Sequence, residues 1–309
     1  MAASIAPIAS QATKLTTTQQ YAEFIDKFDT FLLDCDGVVW QGSHVIEGIS
    51  ETLDMLRSRG KRILFVTNNS TKSREAYTAK FEKIGIHAKE EEIFGSAFAT
   101  AVYLSSVSKL PEGKKAYVIG MDGIRQEFAL QNIPIADSEE DLADMTDDAF
   151  ATIKPDEDVG AVVIGFDTHI NYRKYAKAFT LLTRVPDCRF IATNTDLTFP
   201  AAGFQFPGTG ALVSVLSTST GRQPTVIGKP HQTMLDCIVE KYHLDRDRTC
   251  MVGDRLDTDI QFGINGGIST LLVLSGVTYE HQLHTENPSS VPTYYMDSLG
   301  HLAKVRDDQ

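Results

Sequence analysis

The sequence predicts an α/β protein: a Rossmann-like parallel sheet forms the core, and a second α/β section is inserted into it. Short apolar runs alternate with longer amphipathic ones along most of the chain, as strands alternate with crossover helices. The first and last thirds share this grammar. Between them lies a section with its own strands and helix, which leaves near Ser96 and returns near Pro207–Gly210, where Pro and Gly supply a hinge.

The elements follow in order. The opening segment to about Gln20, rich in Ala, Ser and Thr, lacks the apolar stretch of a secretory signal and has Lys14 but no Arg, so it reads as a mobile leader (1–19). Thr30–Cys35 and Arg62–Thr67 are buried-type strands, with a helix over Ile46–Gly60 between them. Ser70 or Thr71 can cap the next helix, whose Tyr77, Phe81 and Ile84 share a stripe and which Gly85 ends. The inserted section has strands at Tyr117–Gly120, Ala161–Phe166 and Arg189–Thr193 and a helix at Tyr172–Arg184. An acidic stretch, Asp137 to Asp158, reads as a solvated excursion. In the last third, Pro224–Gly228, Thr249–Gly253 and Thr270–Leu274 are strands, separated by helices near His231–His243 and Asp257–Asn265. The expected domains are therefore a core of 20–96 with 207–309, and an insertion of 97–206.

Composition limits the function classes. A net charge of −12 over 309 residues argues against a general nucleic-acid or membrane-surface binder. It would repel an anionic substrate too, so a phosphate site must bring its own positive charge. No apolar run approaches the roughly 18 residues that span a bilayer. The four cysteines are scattered, with no zinc-type spacing, which suits a reduced, cytoplasmic protein.

The stretch Phe31-Leu-Leu-Asp-Cys-Asp-Gly-Val-Val39 is the most informative. Residues i and i+2 of a strand share a side, so Asp34 and Asp36 can converge at the carboxyl edge of the sheet, where such folds bind ligands. The D-x-D spacing alone says little, because it recurs at Asp156/Asp158, Asp245/Asp247 and Asp257/Asp259. What singles out Asp34 is the apolar strand before it and Gly37 after it. Two carboxylates at a buried strand end are costly unless a cation or proton offsets them. Thr67-Asn68-Asn69-Ser70 can bind phosphate or simply cap a helix, and by itself the cap is the better reading. Lys229 follows PTVIG and can offer a point charge to a phosphate, though a lone lysine is more often a surface residue. Met251–Asp259 is again an apolar strand ending in carboxylates. Asp254 suits an oxygen-liganded metal, while Asp257 and Asp259 also suit a helix start.

Each of these pieces closes a strand, in the order carboxylate pair, Thr, Lys, carboxylate cluster. DCDGVVW, FVTNNSTKSR, GKP and MVGDRLDTD resemble the four motifs of the haloacid dehalogenase-like superfamily, in particular its 4-nitrophenylphosphatases and phosphoglycolate phosphatases, most of all the fungal ones. The likeness runs along nearly the whole chain after the leader. GFDTHINY and FIATNTDLTFP resemble the subgroup's C2-type α/β cap. The resemblance implies a Mg²⁺-dependent phosphatase with Asp34 as nucleophile and Asp36 as acid and base. Thr67 and Lys229 would hold the phosphoryl oxygens, with Asn68 nearby. Mg²⁺ would be bound by Asp34, the carbonyl of Asp36 and Asp254, with Asp259 in support.

The same resemblance assigns the leaving group to a cap loop that includes Asn194, Asp196 and Phe199. An apolar residue at 199 leans towards 2-phosphoglycolate. Pyridoxal phosphate or a phosphoprotein is the alternative within the subgroup, and a homodimer through the cap is implied. Two other classes fit less well. Gly203–Thr209 has P-loop spacing but lacks the Lys. A receiver-type phospho-acceptor module places its Asp on a later strand and carries no large insertion.

Overall fold

The computed structural model describes residues 12–201, 203–284 and 290–305. These form two compact units. One holds the described residues up to Leu64 and from Leu244 onward; the other is Phe65–His243. The expected insertion, 97–206, lies wholly inside the second.

The first unit opens with strand β1 (Thr13–Lys14), then helix α1 (Thr18–Lys27), strand β2 (Thr30–Leu33), the small antiparallel pair β3 (Trp40–Gln41) and β4 (His44–Val45), helix α2 (Ile49–Ser58) and strand β5 (Arg62–Thr67). The leader expected to run through residue 19 is structured from Thr13. β1 pairs parallel with a C-terminal strand, and Thr17 caps α1 by accepting from Gln20 N–H. The rest of the expected leader, residues 1–11, lies outside the described residues. All four residues of β2 are buried, as a strand covered on both faces requires.

β5 runs on into the second unit, where its end pairs parallel with β6 (Ile93–Gly95), reached through α3 (Arg74–Lys83). Ser73, not Ser70 or Thr71, caps α3. The Asn69 side chain instead accepts from Thr71 N–H and Oγ, a local turn that delays the helix. After α4 (Ser96–Val102) come β7 (Lys115–Ile119), α5 (Asp122–Leu130), α6 (Asp147–Phe150), β8 (Val159–Ile164), α7 (Tyr172–Arg184) and β9 (Arg189–Ala192). An antiparallel hairpin, β10 (Thr198–Ala201) with β11 (Phe204–Pro207), leads to α8 (Thr209–Thr220), β12 (Thr225–Val226) and α9 (Gln232–Tyr242). β12, β9, β8 and β7 form a four-stranded parallel sheet. The PTVIG strand, expected beside the strands of the last third, thus extends the inserted section's sheet. Burial of Tyr117, Val162, Ile164 and Leu181 builds the core of this section. Removing Leu181 to Ala would cost about 2–5 kcal/mol.

The first unit resumes with β13 (Thr249–Gly253), a π-type turn at Leu256–Ile260, α10 (Gln261–Asn265), β14 (Ser269–Val273) and β15 (Tyr294–Met296). Its parallel sheet runs β1-β15-β14-β13-β2, with the opening of β5 following β2. Among the described residues, no helix is long and apolar enough to cross a membrane.

Candidate active site

β2 and β13 are adjacent and parallel, with Leu33 opposite Val252. Their carboxyl ends therefore deliver Asp34 and Asp254 to one edge, and Asp34 N–H still donates to Val252 O at 2.9 Å. The turn after β13 brings in Asp259. One carboxylate oxygen from each of Asp34, Asp254 and Asp259 lies within 4.8 Å of the others. Asp254 and Asp259 are 2% and 1% exposed. Val277 N–H donates to Asp254 Oδ2 at 2.7 Å, and Arg255 N–H to Asp259 Oδ2 at 3.2 Å. Backbone donors fix two of the carboxylates without neutralising them. Three acids this close and this buried repel unless a cation offsets them. An all-oxygen set of this kind fits a hard divalent ion such as Mg²⁺.

Asp36 and Asp257 lie elsewhere. Asp36 is exposed, and its Oδ1 accepts from the buried indole Nε1–H of Trp40 at 2.8 Å. Gly37, at φ +81°, makes the reversal between them, and its N–H donates to Trp40 O at 2.7 Å. Asp257 is exposed and pairs with Arg255 at 2.7 Å, so of the last D-x-D only Asp259 joins the cluster. Sequence reasoning passed over Trp40 and Gly276–Val277. The W that ends DCDGVVW was the available signal for the first, and the S-G that follows the apolar run TLLVL for the second.

In the second unit, Thr67 ends β5, 3% exposed, and its Oγ1 accepts from Asn69 N–H at 3.2 Å. Asn68 joins several pieces. Its Nδ2 donates to Lys229 O at 2.9 Å and to Asp196 Oδ2 at 3.0 Å, while its Oδ1 accepts from Lys229 N–H at 2.8 Å. Asn194 Nδ2 donates to the same Asp196 oxygen at 2.7 Å. Lys229, 2% exposed, is no surface lysine, and its Nζ donates to Val66 O at 2.8 Å. A side chain at Gly228 would meet Asn68 Oδ1 at 2.5 Å, so the close approach needs glycine. Asn68, Lys229, Asn194 and Asp196 are thus one network, with Thr67 next in chain. Phe199 makes none of these contacts. It lies on β10, its ring edge-on to Phe166 at 4.8 Å and tilted against Phe206 at 6.0 Å.

The family model for haloacid dehalogenase-like hydrolases matches residues 31–134, and a model described as HAD-hydrolase-like matches 226–302. A 4-nitrophenylphosphatase of Schizosaccharomyces pombe is 47% identical over 95% of this chain and 99% of its own. The chloroplastic phosphoglycolate phosphatase 1A of Arabidopsis thaliana is 46% identical over 90% of this chain and 77% of its own. A glycerol-3-phosphate phosphatase of Gallus gallus is 38% identical over 91% and 92%. Among solved structures, a p-nitrophenyl phosphatase from Archaeoglobus fulgidus superimposes with a TM-score of 0.77 at 29% identity, covering 91% of this chain and all of that one, 100%. The chain belongs to the haloacid dehalogenase-like hydrolases. Within them it is a phosphoric monoester hydrolase of the 4-nitrophenylphosphatase and phosphoglycolate phosphatase type.

Proposed function

We propose that the enzyme hydrolyses small phosphorylated metabolites, 2-phosphoglycolate first among them, through an aspartyl-phosphate intermediate and with Mg²⁺ as cofactor. The observation that carries this reading is the convergence of Asp34, Asp254 and Asp259 where β2 and β13 end. Asp34 attacks phosphorus, the bond to the leaving oxygen breaks, and Asp36 donates a proton to that oxygen. Asp36 then takes a proton from water, whose oxygen attacks the phosphorus of the acyl phosphate. Inorganic phosphate leaves and the Asp34 carboxylate is restored.

Asp34, the carbonyl of Asp36 and Asp254 would hold Mg²⁺, with Asp259 in support. The ion supplies positive charge that a −12 chain needs beside a phosphate dianion. In this reading Thr67, Asn68 and Lys229 hold the phosphoryl oxygens. The buried ammonium of Lys229 and the side-chain amide of Asn68 are the donor types the role requires. Trp40 holds Asp36 in one rotamer.

Asn194, Asp196 and Phe199 belong to the part of the reading that concerns the leaving group. The bonds of Asn194 and Asp196 to each other and to Asn68 support a role for these two near the phosphate. The resemblance places an apolar residue at position 199 in phosphoglycolate-type enzymes and a histidine in pyridoxal-phosphate-type ones, and Phe199 follows the first. The names of the Arabidopsis and Gallus relatives make 2-phosphoglycolate and glycerol 3-phosphate the main competitors. Leu197 and Phe204, 73% and 72% exposed beside and on the hairpin, support a homodimer through the inserted section; light scattering that finds a monomer ends that part. The burial of all four cysteines is consistent with a cytoplasmic setting.

Purified protein should hydrolyse 4-nitrophenyl phosphate with Mg²⁺ and stop with EDTA. Asp34→Asn should lose activity with an unchanged circular dichroism spectrum. Undiminished turnover in EDTA, or an active Asp34→Asn, refutes the mechanism. Stoichiometric phosphorylation without turnover would point to a phospho-acceptor module. Specificity constants for 2-phosphoglycolate, glycerol 3-phosphate, pyridoxal phosphate and 2-phospholactate rank the substrates.

A further inference from the structure

β14 and β2 are not neighbours in the sheet, because β13 lies between them. The chain leaving β14 nevertheless touches the turn that follows β2, and to do so loop 275–278 passes over the end of β13, where Asp254 stands. The approach is close. A side chain at Gly276 would overlap Asp254 Oδ2, and a methyl at Gly37 would lie 3.0 Å from Gly276 Cα.

This loop holds Asp254 at two points. Val277 N–H donates to its Oδ2 at 2.7 Å, and Thr278 N–H donates to its backbone carbonyl at 3.2 Å. The same loop grips both sides of the turn that carries Asp36. Half-buried Ser275 donates from Oγ to Gly37 O at 2.7 Å, and its backbone carbonyl accepts from Nε2 of exposed Gln41. One short segment thus joins the ends of β2 and β13.

Glycine has no side chain to limit its dihedrals, so the direction of the turn at Gly37 has to be fixed from outside. Two hydrogen bonds do this, one on each peptide plane. Gly37 N–H, on Trp40 O at 2.7 Å, orients the plane that contains the Asp36 carbonyl, since N–H and C=O of a trans peptide point opposite ways. Gly37 C=O, on Ser275 Oγ, orients the next plane. Removing the hydroxyl releases that second plane, while Val277 and Thr278 still hold Asp254. The spacing between the Asp36 carbonyl and Asp254 then loses a common support.

We propose that Ser275 is a positioning residue of the metal site: its hydroxyl, with Gln41 in support, keeps the Asp36 carbonyl in register with Asp254 and so sets the affinity for a divalent ion. The inference rests on the reading of Asp34, the Asp36 carbonyl and Asp254 as metal ligands. Outer groups that orient ligands govern metal affinity almost as strongly as the ligands do.

Mn²⁺ titration of the full chain without substrate tests this, because Mn²⁺ takes the same oxygen ligands as Mg²⁺ and the EPR signal of its hydrated form broadens away on binding. Ser275→Ala should raise the Mn²⁺ Kd about tenfold, and Ser275→Thr, which keeps the hydroxyl, should stay within about twofold of the parent. Gln41→Ala should raise it about twofold to threefold, and decides the matter if Ser275→Ala does not fold. Thr249→Val is the control: it removes a hydroxyl bond of 2.6 Å to Asp245 O at the opposite end of β13, and should lower the urea midpoint while leaving the Kd unchanged. A parent protein that binds Mn²⁺ with the same Kd as the folded Ser275 and Gln41 variants overturns this proposal and leaves the metal site standing. An equal rise in Thr249→Val also overturns it, by showing that any loss of stability weakens the site. A parent protein that binds no Mn²⁺ overturns the metal reading and this inference with it.

Discussion

Replacing Gly37 by alanine should damage the acidic cluster without touching any of its carboxylates. Gly37 sits at φ +81°, a conformation that costs an L-residue about 1–2 kcal/mol. A methyl group there would also lie 2.5 Å from Asp254 Oδ2 and 3.0 Å from Gly276 Cα. Neither neighbour can yield freely, since Asp254 is 2% exposed and Gly276 is backbone, so overpacking adds about 1–3 kcal/mol. The whole cost comes to about 2–5 kcal/mol. Gly42 provides the control. Its φ is +61° but a methyl there would meet nothing within 4 Å, so Gly42→Ala should cost only the backbone term of about 1–2 kcal/mol. Urea unfolding of both variants measures the difference. A 4-nitrophenyl phosphate assay across Mg²⁺ concentrations measures its consequence: half-maximal activity should need about tenfold more Mg²⁺ in Gly37→Ala, and an unchanged amount in Gly42→Ala. Equal losses of stability and of metal response in the two variants would show that Gly37 supports nothing at Asp254.

Three further outcomes are expected. Trp40→Phe removes the donor at 2.8 Å from Asp36 while leaving most of the ring volume, so kcat should fall roughly tenfold with KM nearly constant; an unchanged kcat would show that Asp36 needs no such support. Burial lifts the Glu127 carboxyl above its ordinary 4.5, against the opposing pull of Arg74. The folded protein then keeps this proton to higher pH than the unfolded chain, so the associated stability is complete below 4.5 and is lost as pH rises through the raised value; the decline should be absent in Glu127→Gln by denaturation at a series of pH values. Burial pushes the thiols of Cys188 and Cys237 up to about 11, and that of Cys250 further still. At pH 8 the native protein should resist iodoacetamide at these three, and all should react in urea, as mass spectrometry would report; rapid labelling of the native protein contradicts the packing.

Strand ends were the part of this protein most legible in its sequence. TFLL, RILFVT and TCMVG are apolar runs of strand length, and each stops at a polar residue, so Asp34, Thr67 and Asp254 could be placed on a sheet edge from pattern alone. Pattern alone could not tell apart the two acids of Asp257-Thr-Asp259, and only the family resemblance singled out Asp259, because the π-type turn at Leu256–Ile260 sets which one faces inward and an α-helical reading gives that choice no basis. PTVIG gave its strand character but not its partner, since a two-residue ladder to β9 depends on the tertiary fold. The acidic stretch was read as solvated because acids usually are. Asp141 is instead 4% exposed, held by Lys177 from α7, a partner 36 residues away that no local pattern predicts. Leader residues Thr13–Lys14 carry no strand signature at all; what makes them a strand is the free edge of β15.

That last pairing bears on how the protein behaves among copies of itself. A parallel sheet ending on β15 would present the N–H and C=O groups of Tyr294–Met296 as a template for a foreign strand. Here Thr13 N–H donates to Thr293 O at 3.1 Å and Leu15 N–H to Tyr295 O at 2.9 Å, so the edge is taken by the chain's own beginning. A two-residue strand is too short to recruit another in turn. An expressed form trimmed to Gln20, where sequence alone would start the core, would keep every residue of the proposed active site and lose the seal on its sheet.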